Sequence, residues 1–418
     1  MKKLIAVSAV AALAATALSA EVTFGAWGRA LWVTAANAYS TAEDKDVVVT
    51  DVHQSWAENA PRVGVNASGS SDNVGFSVDY HANGADGSNF PGDNCLIWVK
   101  PIEQVKFTVG KIDQNELRGD ACFGLWNWDR IGAVSVAGTP DQEGWTFADY
   151  LDAGGNGVSI SVYPVEGLTL GVGLPVKTNN ANGKWNNGKT QKDDGTWEFV
   201  EYGKGSGRPL DEVWGKNAAY VGAYKIEGVG TIKAALKMHG AAKDKDGKEK
   251  ESWQTIAAAF DLTSVENLFV SVGARIATLN SQAHEVNAYA RYGVNEALTV
   301  HAIVGTKLNA YDAKKSAEDK EFKTGLGFNA GVGVDYNLDG GIGLFADVRY
   351  ANNIYAAGTS ADKADCITLG AGVTKGFSNG LIGVAFEGAS NGYGRYLCNP
   401  TKDPAFMWEI PVRFEYWF

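Results

Sequence analysis

Charged side chains in this chain recur at every second position of stretches whose other positions are apolar. Asp347 and Arg349, for example, alternate with Ala346 and Val348. Side chains two residues apart lie on one face of a β-strand, so acids and bases of neighbouring strands would share a face. Opposed charges on such a face orient ions and polar solutes. The alternative is a solvated wall with local ion pairs. The candidates are Lys106, Arg275, Arg291, Asp347, Arg349 and Arg413.

The polar segment 113–156 combines many acids with aromatic side chains. Its 44 residues include Asp113, Glu116, Asp120 and Asp129, but only two bases, together with three tryptophans. A loop of this length is usually functional or disordered. Aromatic anchors favour packing against another surface. We expect the segment either to fold inward and face the wall bases or to lie outside as a lid or surface loop.

Other motifs carry little chemistry. Residues 325–330 (GLGFNA) have dinucleotide-binding spacing, but they lie within an alternating stretch rather than at a helix start. Residues 244–249 (DKDGKE) lack the later ligands of a calcium loop. The five histidines show no metal-site spacing, and no Ser, His and acid constellation can be assembled. The sequence therefore predicts no metal, no cofactor and no enzyme activity.

The elements that would position the wall candidates are β-strands. Apolar and polar residues alternate in eighteen stretches, and sixteen strands is the alternative count. The predicted strands are 22–33, 62–68, 74–82, 95–101, 105–112, 157–163, 168–175, 217–226, 231–239, 252–261, 267–277, 284–293, 297–306, 323–336, 341–351, 365–374, 381–388 and 406–418. Tight turns on one side alternate with long polar segments on the other. This pattern predicts an all-β fold, an antiparallel transmembrane barrel with short periplasmic turns and long external loops.

The last strand, 406–418, shows why the sheet must close. Its alternate positions from Phe406 to Phe418 are all apolar, whereas the interleaved positions include Glu409, Arg413 and Glu415. An unpaired strand of this kind would be an aggregation-prone edge. Sixteen to eighteen strands leave a water-filled interior, so the apolar face must point toward lipid. Pro411 cannot donate to the ladder and predicts a local irregularity.

The N-terminal 20 residues predict export. Lys2 and Lys3 precede an apolar stretch that ends in small residues before Glu21, as in a cleaved signal peptide. Residues 21–418 then form one barrel domain. No later stretch reaches the roughly 18 apolar residues of a membrane helix. Without Lys2 and Lys3, 35 bases remain against 48 acids, a net charge of −13, which excludes nucleic acid as a partner and predicts weak cation preference.

The four cysteines all fall toward the long-loop side of the predicted strands. An exported chain meets an oxidising compartment, and four cysteines allow three pairings. Sequence proximity favours Cys95 with Cys122 and Cys366 with Cys398. Free thiols are the alternative. Each bridge would fix one loop to the top of a strand.

The chain ends resemble known membrane proteins. Phe414, Tyr416 and Phe418 match the last strand of bacterial outer-membrane β-barrels, which resembles the signal that the barrel-assembly machinery reads. In the general porins, which this architecture resembles, the third loop narrows the pore, and a homotrimer is one assembly that the resemblance allows. Residues 26–32 (AWGRALW) and 414–418 (FEYWF) look more narrowly like the ends of treponemal outer-membrane porin-like proteins.

Together these features predict a porin in the bacterial outer membrane. It would be embedded in outer-membrane lipid and serve ion transport and passive diffusion of small hydrophilic solutes. The alternative is a surface-exposed adhesin or ligand-binding protein whose function lies in the external loops. A hydrolase ranks third, because its catalytic constellation is missing.

Overall fold

The structure of the chain is a computed structural model. It describes residues 21–40, 43–54, 58–59, 61–83, 89–111, 157–176, 189–191, 197–199, 210–240, 252–279, 283–312, 316, 323–354, 365–390 and 406–418. Its strands are β1 Glu21–Ser40, β2 Lys45–Gln54, β3 Glu58–Asn59, β4 Arg62–Ser70, β5 Val74–Asn83, β6 Asn89–Ile102, β7 Val105–Lys111, β8 Gly157–Val162, β9 Leu168–Leu174, β10 Lys189–Gln191, β11 Trp197–Phe199, β12 Ala219–Ile226, β13 Gly230–His239, β14 Trp253–Leu262, β15 Leu268–Ala277, β16 His284–Gly293, β17 Leu298–Tyr311, β18 Thr324–Leu338, β19 Ile342–Ala351, β20 Cys366–Phe377, β21 Gly380–Ser390 and β22 Phe406–Trp417.

Eighteen of these strands form a closed antiparallel barrel. They are β1, β4 to β9 and β12 to β22, each paired with the next, and β22 returns to pair with β1. The seam runs from Trp27 opposite Trp417 to Ala36 opposite Glu409. Backbone hydrogen bonds join Ala26 and Phe418 at its lower end. The predicted barrel and its count of eighteen strands are confirmed, and the alternative of sixteen is not needed.

Period-two alternation explains how each strand becomes part of the wall. In β14, Thr255 and Ala257 are 4% and 2% exposed on the inward face, whereas Ile256 between them is 50% exposed on the outward face. The outward face of the barrel carries large apolar side chains throughout, among them Phe76, Val272 and Val348. Strands of about ten residues with an apolar outer face are those that span a hydrocarbon layer.

The first strand is longer than predicted and pairs with two strands along the edge opposite β22. Its lower half pairs with β4, from Glu21 opposite Ser70 to Arg29 opposite Arg62. Its upper half pairs with β2, from Leu31 opposite His53 to Ser40 opposite Lys45. The sequence analysis missed β2 because residues 45–54 (KDVVVTDVHQ) lack clean alternation. The sheet therefore extends beyond the barrel at the end where the long segments lie.

The irregularity predicted at Pro411 is present, and it lies partly in the neighbouring strand. Pro411 is opposite Val33, and the register of β1 shifts between Val33 and Ala36. The hydroxyl of Thr34, within this bulge, donates to the backbone oxygen of Ile410 at 2.9 Å. A bulge fits a strand position that lacks an N–H donor.

A short helix was also not predicted. The π-helix Glu212–Asn217 packs Val213 against Leu174 and Ala218, with Val158 and Val172 partly buried beside them. Because Val158 and Val172 point outward from β8 and β9, this helix lies on the outside of the barrel. Within the described ranges, no helix is long and apolar enough to cross a membrane.

Replacing Gly380, at the start of β21, should weaken the seam. A Cβ there would overlap the backbone oxygen of Glu415 and lie 3.3 Å from Tyr416 Cα in β22. We expect Gly380→Ala to destabilise the barrel by about 1–3 kcal/mol, because backbone atoms cannot move aside as a side chain can. Gly28→Ala is the matched control, since its Cβ would meet neighbours at 3.8 Å. The temperature at which the purified protein loses its compact electrophoretic form measures both, and equal temperatures would contradict the seam geometry.

Candidate functional site in the barrel interior

The candidate functional site is the inward face of the wall. Among the described elements, substantial contacts join strands that are neighbours in the sheet or join the outer helix to β9 and β13. No described element makes substantial contacts with opposite walls. An eighteen-stranded barrel is too wide for its side chains to fill, so its inward face can line a passage.

The inward face of β18 is unusually open because it is mostly glycine. Gly325, Gly327, Gly331 and Gly333 occupy four inward positions around Asn329. These glycines lie in an extended strand, which confirms that residues 325–330 are not a dinucleotide-binding turn. Without side chains there, long groups on β17 and β19 can lie flat against the wall.

His301 uses this space to connect three strands. Its Nε2 is 2.7 Å from Asp335 Oδ2, and its Nδ1 is 2.9 Å from the hydroxyl of Tyr289. Since the carboxylate can only accept, Nε2 donates to Asp335 and Nδ1 accepts from the phenol when the imidazole is neutral. The three groups therefore form one hydrogen-bonded chain across β16, β17 and β18.

A second polar cluster lies on β13 to β15. Lys233 Nζ is 2.9 Å from Asp261 Oδ2, and the Ser271 hydroxyl donates to the other oxygen of Asp261 at 2.6 Å. All three residues are less than 10% exposed. A buried charge requires such partners, because an isolated one would be strongly disfavoured. Lys233 is thus held against the wall by a matched acid.

Other inward charges are also paired between or along strands. Arg275 contacts Glu285 at 2.6 Å, and Arg349 Nε donates to Asp347 Oδ1 at 2.8 Å. Arg349 and its partner are only 1% exposed as side chains. The interpretation of these positions as local ion pairs therefore applies to Arg275, Asp347 and Arg349.

Basic side chains also lie over aromatic rings of the inner wall. Lys100 Nζ is 5.7 Å from the ring centres of both Trp98 and Tyr163, and Lys106 Nζ is 5.9 Å from that of Trp98. On β1 and β4, Arg29 and Arg62 lie over Trp27 in the same manner. In such a contact the negative face of the aromatic ring attracts the cationic side chain.

Bases outnumber acids on the described inward face. The inward bases are Arg29, Arg62, Lys100, Lys106, Lys225, Lys233, Lys237, Arg275, Arg291, Lys307, Arg349 and Arg413, and the inward acids are Asp79, Asp261, Glu285, Asp335, Asp347, Glu387, Glu409 and Glu415. The net charge of the whole chain is nevertheless −11. The acidic excess must therefore lie outside this inner face.

The structure places six predicted site residues on the inward face. They are Lys106, Arg275, Arg291, Asp347, Arg349 and Arg413, of which Arg413 contacts Glu415. They do not converge on one point, since they are distributed over β7, β15, β16, β19 and β22. The other four, Asp113, Glu116, Asp120 and Asp129, lie outside the described residues, as do the predicted signal peptide and Cys122 and Cys398.

The two described cysteines point in opposite directions. Cys95 is an exposed thiol on the outward face of β6, and Cys366 is 1% exposed on the inward face of β20. No disulfide is present among the described residues. Since both predicted partners lie outside the described ranges, the pairing stays a prediction.

Sequence reasoning missed an apolar patch inside the barrel. Its inward residues are Ala219, Val221, Ala223, Ala235, Ala257 and Ala259, all 2–8% exposed. The signal in the sequence was the number of alanines at inward positions of β12 to β14, because alternation marks a position as inward without giving its polarity. An inward apolar patch suits contact with a packed segment better than contact with water.

The described residues hold no obvious catalytic or metal-binding group. No set of three or more His, Cys, Asp or Glu side chains there could hold a metal ion. A Gly-x-Ser-x-Gly pattern does occur around Ser378, but it lies in the turn between β20 and β21. A nucleophile elbow requires a strand followed by a helix. Ser378 therefore lacks that context.

Comparisons of the sequence give a partial match. The OmpA-like transmembrane domain family matches residues 234–380, about a third of the chain. No curated protein sequence matches the chain significantly. The matched residues run from β13 to the first residue of β21, and the described strands among them all belong to the barrel wall.

Comparisons of the structure identify similar barrels. The outer membrane protein opdK from Pseudomonas aeruginosa is 9% identical, with a TM-score of 0.52 over 95% of this chain and 98% of that one. Pseudomonas aeruginosa OpdQ is 11% identical (TM-score 0.49, 95% and 98% covered), and an anion-selective porin from Comamonas acidovorans is 11% identical (TM-score 0.45, 96% and 100% covered). At these identities the likeness to opdK shows the fold alone. The chain thus has the closed antiparallel β-barrel fold of that outer membrane protein.

Proposed function

We propose that this chain is an outer-membrane porin, a channel for passive diffusion of small hydrophilic solutes and ions. The observation that carries the proposal is a closed barrel wall whose outer and inner faces differ in polarity. Its outside is apolar, its inside presents charges and hydrogen-bonding groups, and no described element makes substantial contacts with opposite walls. Water and small polar solutes could occupy such an interior, whereas lipid could not.

The proposal includes the route by which the protein reaches its membrane. Residues 1–20 would be removed during export, and the outer-membrane assembly machinery would read Phe414, Tyr416 and Phe418. All three aromatic side chains are more than 40% exposed. Phe414 and Tyr416 lie on the outward face of the last strand, and Phe418 directly follows that strand. They are accessible for recognition before lipid covers them. A homotrimer, the two disulfides and the treponemal relationship stay predictions.

The proposal also places segment 113–156 inside the barrel as a constriction. The inward apolar patch of β12 to β14 supports this, because an apolar surface favours contact with a packed segment over contact with water. Charge supports it too. The inner wall has more bases than acids, whereas the segment has eight acids and two bases. Opposed charges across a passage would orient polar solutes.

The alternatives have less support. An adhesin would use the external segments, most of which lie outside the described residues. A hydrolase would need an activated nucleophile, and Ser378 lies in a hairpin turn. We therefore propose a channel rather than an enzyme.

Solute flux tests the channel proposal. Liposomes containing the purified, folded protein should swell in iso-osmotic sugar solutions, and the rate should fall as the sugar becomes larger, because a water-filled passage of fixed width retards large solutes. Liposomes with heat-unfolded protein are the control. Swelling no faster than in that control would contradict a channel.

Deletion of residues 119–146 tests the constriction. We expect a larger single-channel conductance, since the passage would widen. Selectivity should also shift toward anions, because the deletion removes Asp120, Asp129, Asp141 and Glu143 but only Arg130 among the bases. Unchanged conductance and selectivity in a folded barrel would mean that the segment lies outside.

Selectivity should also respond to single wall charges. The intact channel is predicted to prefer cations weakly. Arg291 faces inward over the Phe269 ring at 5.7 Å. We expect Arg291→Glu to raise the cation-to-anion permeability ratio about twofold, because wall charge sets the local counter-ion concentration. Lys45→Glu is the matched control, since Lys45 is 63% exposed at the far end of β2. The reversal potential in a KCl gradient measures both, and equal shifts would show that Arg291 does not face the ion path.

A further inference from the structure

Two asparagines and a glycine form a separate group on the inward wall. Asn287 of β16 is the register partner of Gly305 in β17, which is in turn the partner of Asn329 in β18. All three point inward, and the asparagines are 2% and 0% exposed. Side chains of adjacent paired residues on one face are close neighbours. The two carboxamides therefore flank the glycine.

The carboxamides converge over Gly305. A Cβ on this glycine would overlap Asn287 Oδ1 and lie 2.7 Å from Asn329 Oδ1. The space that a side chain would fill is thus occupied by two amide groups, one from each neighbouring strand. Any larger residue at position 305 would push them apart.

These amides are not satisfied by the surrounding protein. Asn287 Nδ2, Asn329 Nδ2 and Asn329 Oδ1 are buried, and none has a hydrogen-bond partner among the described residues. Buried polar groups in proteins are nearly always hydrogen-bonded, so each exception requires an explanation. Here three such atoms gather at one point of the wall, which indicates a site for a polar guest.

The surrounding charges define the class of guest. Arg275 and Glu285 pair with each other on one side of the row, and Arg349 and Asp347 pair on the other. Lys307, the next inward residue of β17 after Gly305, also has an interaction partner. The carboxamides themselves are neutral and offer both donors and an acceptor. The site therefore suits a neutral group that donates and accepts hydrogen bonds, as a hydroxyl does, rather than an ion.

We propose that Asn287, Gly305 and Asn329 form a binding subsite for the hydroxyl groups of a neutral polyhydroxylated solute. The inference rests on the proposed channel function and deepens it. The amides hold the solute at the wall, and Gly305 keeps them close enough to act together. Guest entry requires movement of the groups that now cover the amides.

Channel currents with xylitol as the probe test the subsite. Xylitol should lower the KCl current with a saturating concentration dependence, because bound solute obstructs the path. Dimethyl sulfoxide, which accepts but does not donate hydrogen bonds, should lower it without saturation. In the double variant Asn287→Ala and Asn329→Ala, the half-saturating xylitol concentration should rise about tenfold, as expected for two lost neutral hydrogen bonds.

Two further variants sharpen the result. Gly305→Ala should weaken xylitol binding as strongly as the double variant does, since its methyl group displaces the amides. If the double variant does not fold, Gly305→Ala alone tests the subsite. Asn66→Ala is the matched control, because Asn66 lies exposed on the inward face of β4. It should leave the half-saturating concentration unchanged.

The contradicting outcomes are separable. Two outcomes overturn the subsite but leave the channel proposal intact. One is an unchanged half-saturating xylitol concentration in folded Gly305→Ala and double-variant channels. The other is a KCl current that falls as linearly with xylitol as with dimethyl sulfoxide. The amides would then hold ordered water only. A wild-type protein that carries no current overturns the channel proposal, and the subsite with it.

Discussion

The structure depends on one constraint, the need to satisfy every backbone N–H and C=O group where water is absent. A sheet placed in hydrocarbon can do this only if its first and last strands pair. Here β22 pairs with β1 from Trp27 to Ala36, and the backbone of Phe418 bonds that of Ala26 in both directions. The bulge opposite Pro411 accommodates the one position of the seam that cannot donate. Closure then permits an apolar outer face and a polar inner one.

The chemistry of the inner face depends on the positions of glycines and other small residues. Glycines on β18 let His301 reach Asp335, and Gly305 lets two asparagines converge. Short residues on β12 to β14 leave a smooth apolar patch instead. The wall is therefore divided into regions that differ in polarity, although all strands follow the same alternation. A channel with such a wall would present different surfaces to a solute around its circumference.

Much of the fold was predictable because period-two alternation reports both the strand and its two faces. It placed Val348 outside and Arg291 and Asp347 inside, and the apolar alternation up to Phe418 required closure. It could not identify β2, whose three consecutive valines break the period. It also could not assign partners. Whether Arg349 contacts Asp347 of its own strand, or Tyr289 contacts His301 of the next strand, depends on side-chain conformation and on how far each side chain can lie over a neighbouring glycine.

The central claim is that the folded chain forms an aqueous path across a membrane, and planar-bilayer recording tests it most directly. Insertion of the purified, folded protein should produce discrete current steps whose conductance rises in proportion to KCl concentration, as in a water-filled channel. A folded protein that inserts into the bilayer but produces no steps would contradict the account.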